Sequence, residues 1–131
     1  MLDHVTISVK NLVISREFYD ASLSCLKIFR VYDGEAGFSG YGSLDKASFW
    51  IGERTGQLIT GTHIAFTANN RADVDAFYAA ALAAGGRDNG RPGLRPHYHK
   101  NYYGAFIFDP DGHKIEVVCH RDEEAMRPRQ Q

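Results

Sequence analysis

Two histidines and one glutamate in this chain have the surroundings expected of metal ligands. His4 and His63 each begin an alternating apolar segment. Glu116 lies between Ile115 and Val117 in the last apolar run, where an unpaired carboxylate is costly to bury. Two imidazoles and one carboxylate suit one divalent metal ion (Mn, Fe, Ni, Co or Zn), and three protein ligands leave coordination positions open for a substrate.

An internal repeat gives the two histidines a reason to meet. Residues 3–23 (DHVTISVKNLVISREFYDASL) align without a gap on residues 62–82 (THIAFTANNRADVDAFYAAAL), which superimposes His4 on His63. Taken singly, a histidine at a strand start is usually structural or exposed, and a glutamate on a last strand usually pairs with a neighbouring strand. Two copies of one unit, related by a pseudo-twofold axis, place equivalent side chains opposite each other. We therefore expect both imidazoles to face one space between the two copies.

The segment after each histidine predicts a strand followed by a helix. Period-two alternation predicts strands at 4–9 and 63–67. The first helix is predicted from about residue 12 to residue 23. The second has an N-cap at Asn69 or Asn70 and ends at the glycine pair 85–86. Its predicted apolar face is formed by Val74, Phe77, Tyr78, Ala81 and Leu82.

Shorter strands complete each half of the chain. They are predicted at 27–32 and 47–52, separated by a glycine-rich stretch, and at 105–108 and 114–119. The sequence DPDG at 109–112 predicts a tight turn between the last two strands. Each half therefore has the order β-α-β-β-β, and the fold class is α+β.

Length and composition indicate a single domain. The chain has 131 residues, and we predict one domain over 1–120, with module one at about 1–54, a linker at 54–61 and module two at about 62–120. Residues 121–131 are predicted to form a polar tail.

Charge and hydropathy exclude several classes of partner. A net charge of −1 predicts binding to neither nucleic acid nor anionic membrane, and no apolar run is long enough to span a bilayer. The N-terminus lacks the pattern of a signal peptide, and the two cysteines, Cys25 and Cys119, do not form a disulfide framework. A small-molecule substrate and a reducing, cytoplasmic location are expected.

Four motifs make the chain resemble the vicinal oxygen chelate superfamily, which includes glyoxalases, bleomycin-resistance proteins and extradiol dioxygenases. They are DHVTI, FYDASL, THIAF with FYAAAL, and DPDGHKIEVV, and together they span about 120 residues. The resemblance implies a cup-shaped fold of two tandem βαβββ modules and a homodimer. In many proteins of the superfamily, the two chains of the dimer exchange modules. It also implies metal ligands on the first and last strands of the modules, which here are His4, His63 and Glu116.

The resemblance also implies a fourth ligand position, within residues 48–51. Glyoxalase I-like enzymes have a glutamate or glutamine there, whereas Phe49 or Trp50 occupies it here, and neither can bind a metal. This departure argues against glyoxalase I. The three-ligand set is similar to that of extradiol dioxygenases and fosfomycin-type thiol transferases. However, the chain lacks the duplicated length of many of the former, and Phe106 replaces a tyrosine of the latter.

The segment 93–104 (GLRPHYHKNYYG) alternates aromatic, imidazole and cationic residues before the strands that lead to Glu116. If it is extended, His97 and His99 lie on one side. We interpret it as a wall or lid of the cup, with His97, His99 or Tyr103 as catalytic proton donor or acceptor. The alternative is a surface hairpin with exposed rings.

Two functions remain open. The first is a metal-dependent enzyme (lyase, isomerase, thiol transferase or dioxygenase) that acts on a small oxygenated metabolite chelated to the metal. The second is a non-enzymatic protein of the bleomycin-resistance type, which would sequester a drug or metabolite and which Trp50, Tyr102 and Tyr103 motivate. The residues predicted to bind the substrate are Thr6, Trp50, Tyr102 and Phe106.

Overall fold

Both halves of the chain form the predicted βαβββ unit. The computed structural model describes residues 1–34, 36–56 and 61–123, so half of the predicted linker (57–60) and most of the predicted tail (124–131) lie outside the described residues. The elements are β1 (Val5–Val9), α1 (Leu12–Ser24), β2 (Phe29–Asp33), β3 (Phe38–Ser43), β4 (Lys46–Glu53), β5 (His63–Thr67), α2 (Arg71–Ala83), β6 (Arg87–Leu94), β7 (Tyr103–Phe108) and β8 (Lys114–Cys119).

The two modules build two four-stranded sheets with the same topology. Sheet one has the order β1-β4-β3-β2 and sheet two the order β5-β8-β7-β6. In each sheet the first strand of the module pairs in parallel with the last strand, and the other pairs are antiparallel. The first-to-last pairing matters for the site, because it places the strand that carries His63 beside the strand that carries Glu116.

Asparagine side chains begin both helices. Asn11 accepts a hydrogen bond from the backbone N–H of Ile14, and Asn70, one of the two predicted caps, accepts one from Asp73. The predicted apolar face of α2 is buried at Val74, Phe77 and Ala81. Leu82 remains 38% exposed, so the buried face is narrower than predicted.

The predicted order β-α-β-β-β requires three strands after each helix, but the sequence pattern indicated residue ranges for only two, and the structure supplies the others as β3 and β6. Strand β3 lies within the glycine-rich stretch, and there a side chain on Gly42 would collide with the backbone carbonyl of Lys46. Strand β6 contains Pro92 and shifts register around Gly90, and it lies at an edge of its sheet. Glycine obscures the period-two pattern in β3, and glycine with Pro92 obscures it in β6, although each strand pairs along its neighbour.

The modules pack on each other through a shared core beneath the two helices. Phe49 of β4 and Phe66 of β5 meet edge to face, with ring centroids 5.2 Å apart. In the part of the chain that the structure describes, no helix is long and apolar enough to cross a membrane.

The predicted DPDG turn joins β7 to β8 and also holds the modules together. The Tyr19 hydroxyl of α1 donates to Asp109 at 2.6 Å, and the backbone N–H of Lys10 lies 3.3 Å from the Asp111 carboxylate. The buried His113 ring places Nε2 2.8 Å from the Ser8 carbonyl oxygen. The turn therefore tethers module two to both ends of the β1–α1 connection.

Candidate functional site

A cavity of about 540 Å³ lies on the open face of sheet two, opposite α2. Strands β5, β7 and β8 form its base, and the turn between β6 and β7 forms its wall. Imidazole and aromatic rings dominate the lining, and there is a single carboxylate. The lining residues are His63, His97, Tyr98, His99, Tyr102, Phe106 and Glu116.

His63 and Glu116 form the polar base of this cavity. The His63 Nε2 atom lies 2.8 Å from Glu116 Oε1. Glu116 is only 4% exposed, because its strand is the second of four in the sheet and runs beneath the cavity wall. The His63 side chain is 55% exposed and faces the cavity opening. The buried carboxylate thus has an imidazole partner at the point where a ligand would enter.

Tyr102 binds the second oxygen of the same carboxylate. Its hydroxyl donates a hydrogen bond to Glu116 Oε2. Burial, followed by this hydrogen bond and the negative charge of Glu116, raises the pKa of Tyr102 well above the usual tyrosine value. The phenol therefore stays protonated and remains a donor at physiological pH.

The His63–Glu116 pair meets part of the requirement for a metal site. Two donors bound to one cation at about 2.0–2.2 Å lie roughly 3 Å apart, which matches the nitrogen–oxygen separation of this pair. The described residues contain no group of three His, Cys, Asp or Glu side chains that could hold a metal ion. One chain therefore brings together two side chains of the metal-binding type, with open space beside them.

His4, the third predicted ligand, is not brought to this pair within one chain. Its Nδ1 atom lies 2.8 Å from Asp3 Oδ1, and its side chain is 57% exposed. Asp3 in turn accepts a hydrogen bond from the Lys46 ammonium group at 2.7 Å. The two imidazoles thus lie at the starts of equivalent strands, His4 just before β1 and His63 in β5, but His4 does not line the cavity that contains His63.

Thr6 and Trp50 lie with His4 on sheet one. They are paired across the parallel β1–β4 ladder, and neither lines the cavity on sheet two. The Trp50 ring packs against Tyr32 at 5.1 Å, and its indole N–H donates to the carbonyl of Ala47 at 3.3 Å. These two predicted substrate-binding residues therefore belong to a second open sheet face.

The strand register identifies which residue of module one corresponds to Glu116. Thr6 pairs with Trp50 in sheet one, and its repeat equivalent Ala65 pairs with Glu116 in sheet two. Trp50, rather than the buried Phe49, therefore occupies the fourth ligand position. An indole stands where a symmetric duplication would have placed a carboxylate.

The segment between β6 and β7 forms turns rather than an extended strand. Residues 95–102 close through a hydrogen bond from the Arg95 N–H to the Tyr102 carbonyl at 2.7 Å. His97 and His99 both line the cavity, although the predicted alternation is not what places them there. Tyr102 and Phe106, predicted to bind substrate, line it as well.

Tyr103, the third predicted proton donor or acceptor, lies on the other side of the sheet. Its hydroxyl donates to Asp75 of α2 at 2.7 Å, and the Arg71 guanidinium lies 5.2 Å from its ring. Burial, together with the hydrogen bond to Asp75, raises the pKa of Tyr103 to about 12. Neighbouring residues of a strand face opposite sides, so Tyr103 points to the helix while Phe106 points to the cavity.

Three further residues shape the site. Tyr98 lines the cavity, the Arg95 guanidinium lies over the Phe106 ring at 5.4 Å, and His120 contacts His99. The sequence could have indicated His120, because alternate residues of an extended segment share a face and His120 follows Glu116 by four residues. Nothing in the sequence pattern indicated how Arg95 would fold back on Phe106.

Comparison with known proteins gives one family match that spans both modules. The family model for the Glyoxalase/Bleomycin resistance protein/Dioxygenase superfamily matches residues 1–117. This is the family that the sequence motifs resemble. No curated protein matches the chain.

Several solved structures have the same architecture. A glyoxalase/bleomycin resistance protein from Albidiferax ferrireducens T118 is 34% identical with a TM-score of 0.80, over 91% of this chain and 98% of that one. A glyoxalase/bleomycin resistance protein/dioxygenase family enzyme from Burkholderia phytofirmans PsJN is 17% identical with a TM-score of 0.71, over 91% and 98%. A glyoxalase-related enzyme from Fulvimarina pelagi is 18% identical with a TM-score of 0.70, over 91% and 87%. The last two are similar in fold alone.

Proposed function

Because the chain belongs to the Glyoxalase/Bleomycin resistance protein/Dioxygenase superfamily, we propose that it is a metal-dependent enzyme that acts on a small oxygenated metabolite. The observation that carries this proposal is the His63–Glu116 pair, with 2.8 Å between its donor atoms, at the base of an aromatic-walled cavity. The reaction class is a lyase, isomerase, thiol transferase or dioxygenase reaction. We place the enzyme in the cytoplasm, in keeping with its two free cysteines.

The proposed roles follow from what each side chain contacts. His63 and Glu116 hold the divalent ion, which when bound supplies a Lewis acid that polarises substrate oxygens. Tyr102 orients the Glu116 carboxylate through its hydroxyl, as hydrogen-bonded partners of metal ligands commonly do. Phe106 and Tyr98 provide flat apolar walls, and an imidazole of the 95–102 turn moves the substrate proton.

A homodimer supplies the third ligand in this proposal. Sheet one has an open face that carries His4, Thr6 and Trp50, and none of these three residues lines the cavity of sheet two. A second copy that seats this face over the cavity of sheet two brings His4 to the His63–Glu116 pair. Exposed aromatic side chains on sheet one, Phe29, Tyr32 and Phe38, favour such a contact.

Metal content and affinity test the enzyme proposal. We expect protein purified without chelator to bind about one equivalent of Mn²⁺, Fe²⁺, Ni²⁺, Co²⁺ or Zn²⁺ per chain. The Glu116→Gln variant should lose this binding, whereas Glu17→Gln, a change at an exposed position of α1, should retain it. Folded wild-type protein that binds none of these ions on titration would refute metal dependence.

Mixing two variants tests the dimer separately. The His4→Ala and Glu116→Ala variants should each fail to bind the metal ion when they are assayed alone. If the site forms between chains, a randomly exchanged mixture recovers about a quarter of the wild-type sites, because each mixed dimer contains one site with both residues intact. If one chain supplies all three ligands, the mixture recovers nothing.

The alternative function, sequestration of a drug or metabolite without chemistry, has an observation in its favour. Both oxygens of Glu116 already have partners, His63 and Tyr102, so the carboxylate is satisfied without a cation. The two functions differ in their metal requirement. A binder would take up aromatic compounds equally well after treatment with a chelator, whereas the proposed enzyme would lose both metal and turnover.

A further inference from the structure

We infer that His120 is a positioning residue of this site: it holds His99 in the tautomer protonated at Nε2 and so fixes the 95–102 turn against the end of β8. The inference rests on the proposed function for its catalytic meaning, because it leaves His97 as the imidazole that is free to move a proton.

The contact between the two rings determines where the proton lies. His99 Nε2 is 2.5 Å from His120 Nδ1, the ring planes are inclined at only 21° and the centroids lie 4.8 Å apart, so the two rings meet edge to edge. Two nitrogen lone pairs repel at this distance, so one proton must lie between them. The backbone N–H of Asn101 points at His99 Nδ1 from 3.2 Å, and this nitrogen must therefore carry a lone pair. The neutral His99 ring is consequently protonated at Nε2 and donates to His120.

This arrangement separates the roles of the two histidines in the turn. Both nitrogens of His99 are engaged, one as acceptor and the other as donor. His97 also lines the cavity, and its ring packs on Tyr98 at 4.2 Å, yet neither of its nitrogens has a hydrogen-bond partner among the residues described. Of the two candidate bases, only His97 has a nitrogen available to a substrate.

His120 also completes a cluster of rings around Tyr102. The rings of Tyr98, His99 and His120 lie 4.9, 5.4 and 5.3 Å from the Tyr102 ring, all in edge-to-face contact. The hydroxyl held inside this cluster is the one that donates to Glu116. His120 belongs to the segment that follows β8, whereas its three neighbours belong to the turn. Its contact with His99 is therefore a second connection, beside the Tyr102–Glu116 hydrogen bond, between the wall of the cavity and the strand bearing the carboxylate.

Long-range ¹H–¹⁵N NMR of the imidazole rings, with backbone hydrogen exchange, tests this assignment on the intact protein. We expect a protonated Nε2 and an unprotonated Nδ1 in wild-type His99. In His120→Ala the Nε2 proton should exchange rapidly, and the amides of residues 99–102 should exchange about three- to tenfold faster, as expected when one hydrogen bond is lost. His120→Asn, whose side-chain oxygen can still accept from His99, should restore both signals. The neighbouring exposed residue provides the control, Arg121→Ala, which should behave like the wild type.

The outcomes separate this inference from the proposed function, since none of these readouts needs a metal or a substrate. A wild-type His99 protonated at Nδ1, or exchange at 99–102 that His120→Ala leaves unchanged, would overturn the positioning role whether or not the protein binds metal. Equal acceleration in the Arg121→Ala control would overturn it too. The expected tautomer and rescue in a protein that binds no metal would instead leave His120 in place and remove the enzyme proposal.

Discussion

The two modules share one topology but differ in what they place on their open sheet faces. In both, the first strand pairs in parallel with the last, and the paired positions Thr6–Trp50 and Ala65–Glu116 are equivalent. Module two has a carboxylate there, in contact with an imidazole and a phenol, whereas module one has an indole packed on Tyr32. The repeated scaffold supplies equivalent positions, and the residue type at one of them decides whether that face presents a carboxylate or an indole.

The interiors of the modules differ in a second way. Tyr19 and Tyr78 are repeat equivalents, and both donate to an aspartate. Tyr19 is fully buried and reaches across the module boundary to Asp109, whereas Tyr78 is half-buried and reaches Asp88 in its own module. The Tyr19 phenol therefore joins the two modules, whereas the Tyr78 phenol forms its hydrogen bond within its own module.

The largest effects are expected where the modules are most alike. Phe18 and Phe77 are equivalent and fully buried. Phe18→Ala and Phe77→Ala should each lower the free energy of unfolding by about 3–5 kcal/mol, because each leaves a cavity in the shared core. Urea denaturation measures both. A large loss for one and less than a third of it for the other would show that the modules do not share one core.

The buried phenol should have the next largest effect. Tyr19→Phe removes a hydrogen bond to a charged group and should cost about 1.5–3 kcal/mol in the free energy of unfolding. Asp109 would keep only the backbone donors of Asp111 and His113.

Tyr19 also predicts a dependence on alkaline pH. Burial, with the adjacent Asp109 charge, raises the pKa of Tyr19 well above its usual value. The folded state therefore binds the phenolic proton more tightly, so the contribution of Tyr19 to stability is complete below about pH 10 and is lost as the pH rises above it. Between about pH 9 and pH 11, the free energy of unfolding should fall less in Tyr19→Phe than in the wild type, as denaturation at each pH would measure. Identical pH profiles would contradict this.

A carboxylate at the module-one position should sharpen the comparison of the two faces. If partner chains complete the site, Trp50→Glu adds a carboxylate as a fourth ligand beside the two imidazoles and Glu116. This variant should bind Mn²⁺ about tenfold more tightly, measured by titration. Trp50→Leu controls for loss of the indole and should not tighten binding. An affinity that Trp50→Glu leaves unchanged would place this face away from the metal.

The smallest effect is expected at Tyr78. Its hydroxyl donates to Asp88 at 2.9 Å at an exposed position. Tyr78→Phe should change the free energy of unfolding by less than about 0.5 kcal/mol. A loss comparable with that of Tyr19→Phe, measured under the same conditions, would abolish the distinction between the two phenols.

Local sequence patterns were sufficient for much of the fold. The alternation after His4 and His63 predicted β1 and β5, Asn70 was one of two predicted caps, and the DPDG turn lies between β7 and β8. The patterns were insufficient for β3 and β6. Glycines remove side chains that would carry the alternation in β3, glycines and Pro92 interrupt it in β6, and pairing with a neighbouring strand is what defines both.

For the candidate site, the sequence likewise indicated some of the residues that line the cavity and misplaced others. The predicted residues Tyr102, Phe106, His97 and His99 do meet His63 and Glu116 in one cavity. Tyr103 was assigned to the cavity by its neighbours in the sequence, yet strand parity turns it toward α2.

The sequence by itself determined that the chain consists of two equivalent βαβββ units, which histidines begin them, and that Glu116 lies within the apolar last strand of the second. Periodicity determines which side of its own sheet a residue faces, and this information is local. The tertiary structure decided that His63 and Glu116 meet while His4 lies on a separate face. The relative placement of two sheets depends on the apolar surface buried between the helices and on contacts such as Tyr19–Asp109, which lie 90 residues apart in the chain.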